Sequence, residues 1–479
     1  MFRYSTIKDY HIALQNGQTT CVEAVRFYIS QIQQDQNLNA WLEVYESEAL
    51  LAAGLLDQQR QSQQALAPLH GVIVGLKDVI CYKDHQVSAA SHILRNFTSV
   101  YNATVTQKLL DAGAIIIGRQ NCDEFAMGSS NEHSAFGPVK NALDVSRVPG
   151  GSSGGSAVAV QARHCMISLG SDTGGSVRQP ADFCGIIGFK PGYGRISRYG
   201  LIAYASSFDQ IGIFGTNIDD VALTLQVIAG ADEFDSTVSQ AIVPDYISAI
   251  SDESNTPKRI AYFKEALNHP GLDPAIKTTT EAFIKKLTDK GYIVEAVDFE
   301  LLEYVVPTYY VLTTAEASSN LSRYDGVRFG HRSAQLTDDL AEFYKLSRSE
   351  GFGKEVKRRI MLGTFVLSAG YFDAYFTKAQ QVRMKLQELT HTIFKSYDAI
   401  ISPTVPSPAY RIGELQDDQL AMFLGDIYTV FANLTGLPAI SIPLFQHPNG
   451  MPFGLQIMTS QTDEVSLLRL SKQFLQLSE

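Results

Sequence analysis

Two serines and one lysine are the residues of this chain whose types and spacing could hydrolyse an amide. Ser152 and Ser176 each follow a pair of glycines. Lys77 closes an apolar run further upstream. A buried lysine can be neutral near pH 7 and accept a proton from a serine, and a second serine can relay that proton. The pattern indicates a serine nucleophile, a bridging serine and a lysine base.

The segment 149–157 around Ser152 has three other interpretations. A phosphate-binding loop is excluded because no Lys-Ser or Lys-Thr follows the glycines. A G-x-S-x-G nucleophile elbow with Ser152 is formally present, but it needs a strand just before it, and 147–149 is a poor strand. The third interpretation is a flexible loop. Lys77 itself could be an ordinary lysine at a strand end whose amine reaches water.

The second glycine segment, 170–185, suggests an oxyanion hole. Tight turns at its glycines would direct backbone N–H groups of Thr173, Gly174 and Gly175 toward one point beside Ser176. Such donors stabilise the negative oxygen of an acyl-transfer intermediate. The opposite charges of Asp172 and Arg178 flank this turn, and we interpret them as a salt bridge that braces it.

Other catalytic chemistries find less support in the sequence. None of the ten histidines has a local context typical of a catalytic triad, and His133, upstream of the glycine segments, is interpreted as a loop residue. The chain lacks an H-E-x-x-H motif and paired Cys and His ligands, so we expect no metal. Its five cysteines are odd in number and widely spaced, which favours reduced thiols.

Composition restricts the class of protein and its partners. The chain has 479 residues, 45% of them hydrophobic, and a net charge of −11. Such an acidic chain is a poor nucleic-acid binder by itself, so a partner would have to hold any nucleic acid. No apolar run reaches the roughly 18 residues of a spanning helix, and the opening residues lack a long apolar signal segment. We expect a cytoplasmic protein.

Apolar periodicity predicts an α/β fold with one extended sheet. We expect a helical segment over 1–65, in which Thr20 and Glu23 form a capping box, and one compact unit over 66–479 that includes a surface loop at 231–258. We also predict a strand at 114–117 and an amphipathic helix through Val382 and Ile393. A strand-helix-strand unit is predicted with one strand at 260–263, a helix capped by Asp273, and a return strand that begins at 293. Asn449-Gly450 predicts a hairpin turn.

The chain resembles the amidase signature family. The resemblance rests on both glycine-serine segments, on the Gly-Leu-Lys-Asp around Lys77, and on the C-terminal segments 436–443 and 452–456. It implies a large, mostly parallel or mixed sheet with helices on both faces. It also implies that Ser176 is the nucleophile, that Lys77 is the base, and that Ser152 is the bridging serine and follows a cis peptide.

Within that family the chain is similar to the glutamine-hydrolysing subunits of tRNA-dependent amidotransferases. The segments that carry this narrower resemblance are 123–130, 316–321 and 349–353. It implies that Arg359 pairs with the α-carboxylate of glutamine, that Asp426 takes the α-ammonium, and that Tyr310 lines the pocket. Arg358 remains an alternative to Arg359.

The same resemblance implies two partner subunits. A B subunit would use ATP and Mg²⁺ to convert Glu-tRNA(Gln) or Asp-tRNA(Asn) with the ammonia, and a small C subunit would hold the two together. This chain would then need no cofactor and would meet tRNA mainly through its partner. The alternatives are a free-standing amidase for another small or aryl amide, and a catalytically silent scaffold.

Overall fold

A single mixed sheet forms the centre of the molecule. The computed structural model describes residues 4–62, 66–252, 258–335, 337–415 and 418–478. In these ranges eleven strands join in the order β1-β3-β2-β4-β6-β5-β10-β11-β9-β7-β8. The strands are β1 Trp41–Val44, β2 Ile73–Lys77, β3 Ile115–Gln120, β4 Ile167–Asp172, β5 Ile187–Lys190, β6 Gln210–Gly215, β7 Arg259–Phe263, β8 Ile293–Val297, β9 Ala399–Pro403, β10 Ala439–Gln446 and β11 Pro452–Thr459.

Of the two predicted kinds of sheet, the structure has the mixed one. Strand β2 is parallel to β3 and β4, and β7 is parallel to β8 and β9. The other neighbouring pairs are antiparallel. Short connections favour antiparallel pairing, and the predicted turn at Asn449-Gly450 does join β10 to β11 as a hairpin.

Helices flank this sheet. In the described ranges they are α1 Ile7–Gln15, α2 Cys21–Gln34, α3 Glu46–Ser62, α4 Thr104–Asp111, α5 Gly154–Gln161, α6 Arg178–Cys184, α7 Ile218–Ile228, α8 Tyr246–Ser251, α9 Lys264–Leu267, α10 Pro274–Asp289, α11 Leu302–Asn320, α12 Leu340–Gly351, α13 Lys354–Val366, α14 Lys378–Ile393, α15 Gln419–Leu424, α16 Val430–Thr435 and α17 Glu464–Ser478. Strands β2 to β6 and β9 are buried at every position. Because successive side chains of a strand point to opposite faces, both faces of the sheet are covered there.

The N-terminal segment contains more than the predicted helices. The capping box of α2 is confirmed, since Thr20 and Glu23 cap each other's backbone. The segment also contributes β1, which pairs with β3 at the edge of the sheet. One hydrophobic cluster extends from Ile7 to Phe474, so the N-terminal helices and α17 share a core.

The 231–258 segment is not only a surface loop. Helix α8 begins after Asp245, whose side chain accepts the Ser248 N–H, and it buries Tyr246 and Ile250. Residues 253–257 of that prediction lie outside the described residues. Two apolar side chains one turn apart are too short a pattern to predict such a helix from sequence.

The other predicted elements are confirmed. Strand β3 covers the apolar run at 115–117, and α10 begins at Pro274 after the Asp273 cap, between the parallel strands β7 and β8. Helix α14 contains the predicted apolar stripe. None of the helices in the described ranges has the length and apolar character needed to cross a membrane.

Candidate active site

Lys77 is the last residue of β2 and is fully buried. Its Nζ lies 2.8 Å from the Oγ atoms of three serines, Ser152, Ser153 and Ser171. Burial lowers the pKa of Lys77 to about 8, although nearby acidic groups act in the opposite direction. The alternative of a lysine whose amine reaches water is wrong. The sequence predicted contact with Ser152. Ser153 and Ser171 were missed, although both lie in the glycine-serine segments, because spacing alone does not say which serine faces the amine.

Ser152 lies in a tight loop just before α5. The Gly151–Ser152 peptide is cis, as the resemblance implied. The Gly151 N–H donates to Gln179 Oε1 at 2.8 Å, and the carbonyl oxygen of Ser152 accepts the Asp123 N–H at 3.0 Å. A Cβ on Gly151 would lie 2.3 Å from Asp123 Oδ2, so only glycine fits. These contacts attach the Ser152 loop to the first turn of α6 and to the loop at Asp123.

Ser176 lies in the loop between β4 and α6. Because β4 runs parallel to β2 beside it, this loop and Lys77 lie at the same edge of the sheet. Asp172, at the end of β4, accepts the N–H groups of Gly175 at 2.9 Å and Val177 at 3.1 Å. It also pairs with Arg178 at 2.9 Å, and both side chains are fully buried. The predicted brace is therefore confirmed.

The ionisation of Asp172 follows from this pairing. Burial alone would raise the pKa of its carboxyl, but the charge and hydrogen bonds of Arg178 outweigh burial and hold the pKa well below its usual range. An ionised Asp172 thus fixes the turn that carries Ser176.

The oxyanion-hole prediction needs one correction. The Gly175 N–H is already engaged by Asp172, so Gly175 shapes the turn and does not offer a free donor. The N–H groups of Thr173, Gly174 and Ser176 have no acceptor within the described ranges. Gly175 has φ +125°, and a Cβ there would lie 2.3 Å from Thr429 Oγ1. The paired glycines therefore allow both the turn and the close packing around it.

The predicted substrate-binding residues form one cluster. Asp426 accepts hydrogen bonds from Tyr310 Oη at 2.8 Å and from Ser129 Oγ at 2.9 Å. Burial raises the pKa of Asp426 to about 6. The Arg359 guanidinium lies over the Tyr310 ring, 5.3 Å from its centre. Ser129 was missed, although it lies in the 123–130 segment, because its partner Asp426 is nearly 300 positions away.

The structure distinguishes Arg359 from Arg358. Arg359 is buried, with Nε 2.7 Å from Glu355 Oε1 and Nη1 2.9 Å from Tyr204 Oη. Arg358 is partly exposed, and its guanidinium lies over the ring of Phe423 and not over that of Tyr310. Arg359 is therefore the arginine that belongs to the Tyr310–Asp426 cluster.

This cluster adjoins the Ser176 loop. Thr429 Oγ1 lies 2.7 Å from the carbonyl oxygen of Gly174 and 3.2 Å from that of Asp426. A Cβ on Gly174 would lie 2.4 Å from the ring of Tyr309, the neighbour of Tyr310. The site thus combines a lysine of lowered pKa, several serines and free backbone donors with a buried acid and a buried arginine.

The fold and this site define an amidase. The family model described as Amidase matches residues 23–468, and the chain belongs to that family of enzymes. It is 49% identical over 470 residues to the A subunit of the glutamyl-tRNA(Gln) amidotransferase of Koribacter versatilis, with 97% of each chain covered.

Solved structures of amidases share the fold of this chain. The crystal structure of the A subunit of glutamyl-tRNA(Gln) amidotransferase from Thermotoga maritima has a TM-score of 0.78 and 38% identity, over 94% of this chain and 90% of that one. The native peptide amidase of Stenotrophomonas maltophilia has a TM-score of 0.82 at 27% identity, over 99% of this chain and 97% of that one.

Proposed function

We propose that this chain is the glutamine-hydrolysing subunit of a tRNA-dependent amidotransferase. The observation that carries the proposal is the cluster of Arg359, Tyr310 and Asp426 next to the Ser176 loop. A guanidinium and a carboxylate in one buried pocket complement the α-carboxylate and α-ammonium of an amino acid. Glutamine and asparagine both present a side-chain amide for the serine to attack, and the resemblance to glutamine-hydrolysing subunits selects glutamine.

In the first half-reaction Ser176 attacks the side-chain amide carbon. A neutral amine has only two N–H donors, so one of the three serines around Lys77 must donate its hydroxyl hydrogen to Nζ. We assign that role to Ser152, which passes its proton to Lys77 as it takes the proton of Ser176. The N–H groups of Thr173 and Gly174 stabilise the oxyanion.

The intermediate then breaks its carbon–nitrogen bond. The proton held by Lys77 returns through Ser152 to the leaving nitrogen, and ammonia departs while Ser176 carries a γ-glutamyl ester. Water next attacks the ester with Lys77 again acting as the base. Glutamate leaves, Ser176 regains its proton, and Lys77 is neutral for the next cycle.

The finer assignment of partners follows the relatives, which are named as subunits of a glutamyl-tRNA(Gln) amidotransferase. We propose a heterotrimer with a B subunit, which uses ATP and Mg²⁺ to amidate Glu-tRNA(Gln) or Asp-tRNA(Asn), and a small C subunit. The net charge of −11 supports binding of tRNA by the partner. We place this complex in the cytoplasm, where the tRNA substrate is made and used.

An exposed apolar surface, called the arm patch below, covers the second half of α13 and the residues that follow it, and it supports such a partner. Helix α13 carries Arg359, and the arm patch begins two residues later; it consists of Met361, Leu362, Phe365, Leu367, Tyr371, Phe372 and Tyr375. The rings of Phe365, Tyr371 and Tyr375 contact one another, with Phe365 and Tyr371 4.3 Å apart. Contiguous apolar surfaces of this kind mark interaction sites in soluble proteins, and this one begins two residues after Arg359.

The competing function is a free-standing amidase, as in the peptide amidase of similar fold. The experiment is ammonia release by the purified chain, together with any co-purifying partners, from glutamine, asparagine, acetamide and aryl amides. We expect turnover of glutamine above the others and none by Ser176→Ala. Brisk hydrolysis of another amide without glutamine turnover would make the chain a free-standing amidase, and glutamine-dependent product from Ser176→Ala would favour a silent scaffold.

A further inference from the structure

A buried connection runs from Arg359 to the oxyanion loop through two residues that the proposed mechanism does not use. Arg359 Nη1 donates to Tyr204 Oη at 2.9 Å, and the guanidinium lies 5.6 Å from the centre of the Tyr204 ring. Tyr204 Oη in turn donates to Thr313 Oγ1 of α11 at 3.1 Å. Tyr204 is therefore held from two sides, and its hydroxyl sets the position of one arm of the guanidinium.

Asp209 fastens the backbone at Tyr204 to the oxyanion loop. Its carboxylate accepts the N–H groups of Tyr204 at 2.9 Å and of Ala205 at 3.0 Å. The same carboxylate accepts the hydroxyl of Thr173 at 2.7 Å. Asp209 is buried, and every one of these bonds is shielded from water. One carboxylate thus links the residue that holds Arg359 to the residue whose N–H faces the oxyanion.

We infer that Asp209 and Tyr204 are positioning residues that couple occupancy of Arg359 by the α-carboxylate of glutamine to the alignment of the Thr173 and Gly174 N–H groups. The inference rests on the proposed function. It deepens that function by explaining why the enzyme would prefer amides that carry an α-carboxylate. Binding energy from a remote part of a substrate can be used to orient the reacting centre, and it then raises kcat as well as affinity.

A purely structural role predicts a different outcome. An aspartate that only satisfies three donors in a turn would, when replaced, lower the stability of the fold and the turnover of all amides by one common factor. A coupling role predicts that glutamine loses its advantage over an amide that cannot occupy Arg359. The ratio of the two kcat values therefore distinguishes the two roles.

The test uses glutamine and 4-aminobutanamide, which is glutamine without its α-carboxylate. Thr173→Val removes the hydroxyl that contacts Asp209 but keeps the backbone N–H, and Thr173→Ser restores the hydroxyl. In the parent enzyme we expect kcat for glutamine to exceed that for 4-aminobutanamide. In Thr173→Val we expect the ratio of kcat for glutamine to kcat for 4-aminobutanamide to fall about tenfold, and in Thr173→Ser we expect the ratio to recover.

Tyr204→Phe provides a second, independent variant. It removes the hydroxyl that contacts Arg359 and keeps both the ring and the backbone N–H that binds Asp209. If Thr173→Val does not fold, the same comparison of kcat values is made with Tyr204→Phe. An equal loss on both substrates, or a change in KM alone, would overturn the coupling. A parent enzyme that releases no ammonia from glutamine would instead refute the proposed function, so the two failures are distinguishable.

Discussion

The amine of Lys77 lies at equal distance from three serine hydroxyls, and only one of them belongs to the proposed proton relay. Replacement of each serine by alanine separates the roles. We expect Ser176→Ala to lower ammonia release by about a thousandfold or more, as for the loss of a catalytic nucleophile. Ser152→Ala should show a comparable loss, because the relay between Lys77 and the nucleophile is removed.

Ser153→Ala is the matched control, since it also removes one 2.8 Å contact with Lys77. A single neutral hydrogen bond is worth about 1 kcal/mol, so we expect a loss of less than about tenfold. Steady-state ammonia assays on the three variants provide the comparison. A Ser153→Ala variant as inactive as Ser152→Ala would mean that the relay has been assigned to the wrong serine.

The pH dependence of glutamine hydrolysis tests the state of Lys77. Its pKa is lowered to about 8 by burial, and the base must be neutral. Below that pH the amine is protonated and cannot accept a proton, so we expect kcat/KM to fall about tenfold per pH unit on the acid side. Measurement of kcat/KM across pH gives the midpoint. A profile without a decline on the acid side of neutrality would contradict a lysine base.

Asp426 is expected to add a second pH effect, on KM for glutamine, at lower pH. Burial raises the pKa of this carboxyl to about 6, so below that pH it is neutral and attracts the substrate ammonium less strongly. We expect KM for glutamine to rise there, and KM for glutaramic acid, which has no α-ammonium, to stay unchanged. Equal behaviour of the two substrates would show that Asp426 does not bind the ammonium.

At the scale of elements, the start of α13 determines where Arg359 lies. The Gly353 N–H at its N-terminus donates to Glu124 Oε2 at 2.9 Å, and the Ser91 hydroxyl donates to Glu124 Oε1. Glu124→Ala removes the acceptor that the Gly353 N–H and the Ser91 hydroxyl share, and we expect it to destabilise the fold by about 1–3 kcal/mol and to raise KM for glutamine severalfold. Glu124→Gln keeps one carbonyl acceptor and should lose less on both measures.

Thermal unfolding and steady-state kinetics on these two variants check the prediction. A lower melting temperature with an unchanged KM would show that the cap stabilises the fold without orienting Arg359.

The elements show where sequence reasoning works and where it fails. Caps and turns are local, so Thr20 with Glu23, Asp273 with Pro274 and the Asn449-Gly450 hairpin could be predicted from neighbouring residues. Strand β1 could not, because its pairing with β3 involves residues more than 70 positions away and has no local signature.

The same distinction applies to the site. The glycine-serine segments mark Ser152 and Ser176 because their local geometry is unusual, and the resemblance supplied Arg359 and Asp426. Tyr204 carries no such mark, since its contact with Arg359 spans 155 positions and depends on how α13 packs against α11. Side chains that act only through another side chain leave no pattern in a single sequence.

At the scale of the whole molecule, the arm patch is expected to bind the subunit that receives ammonia. Phe365→Ser combined with Tyr371→Ser makes it more polar without touching Arg359. We expect the double variant to lose co-elution with co-expressed B and C subunits in size-exclusion chromatography. Ile242→Ser is the control, because Ile242 is 92% exposed in the 231–258 segment. Retained assembly of the double variant would place the interface elsewhere.

The covalent intermediate tests the central claim most directly. The chain, with its partners, would be incubated with isotopically labelled glutamine, quenched in acid, digested, and its labelled peptide located by mass spectrometry. We predict the glutamyl label on Ser176, with none in Ser176→Ala. Label on Ser152, as in the nucleophile-elbow interpretation, or glutamine hydrolysis that continues in Ser176→Ala, would contradict the mechanism.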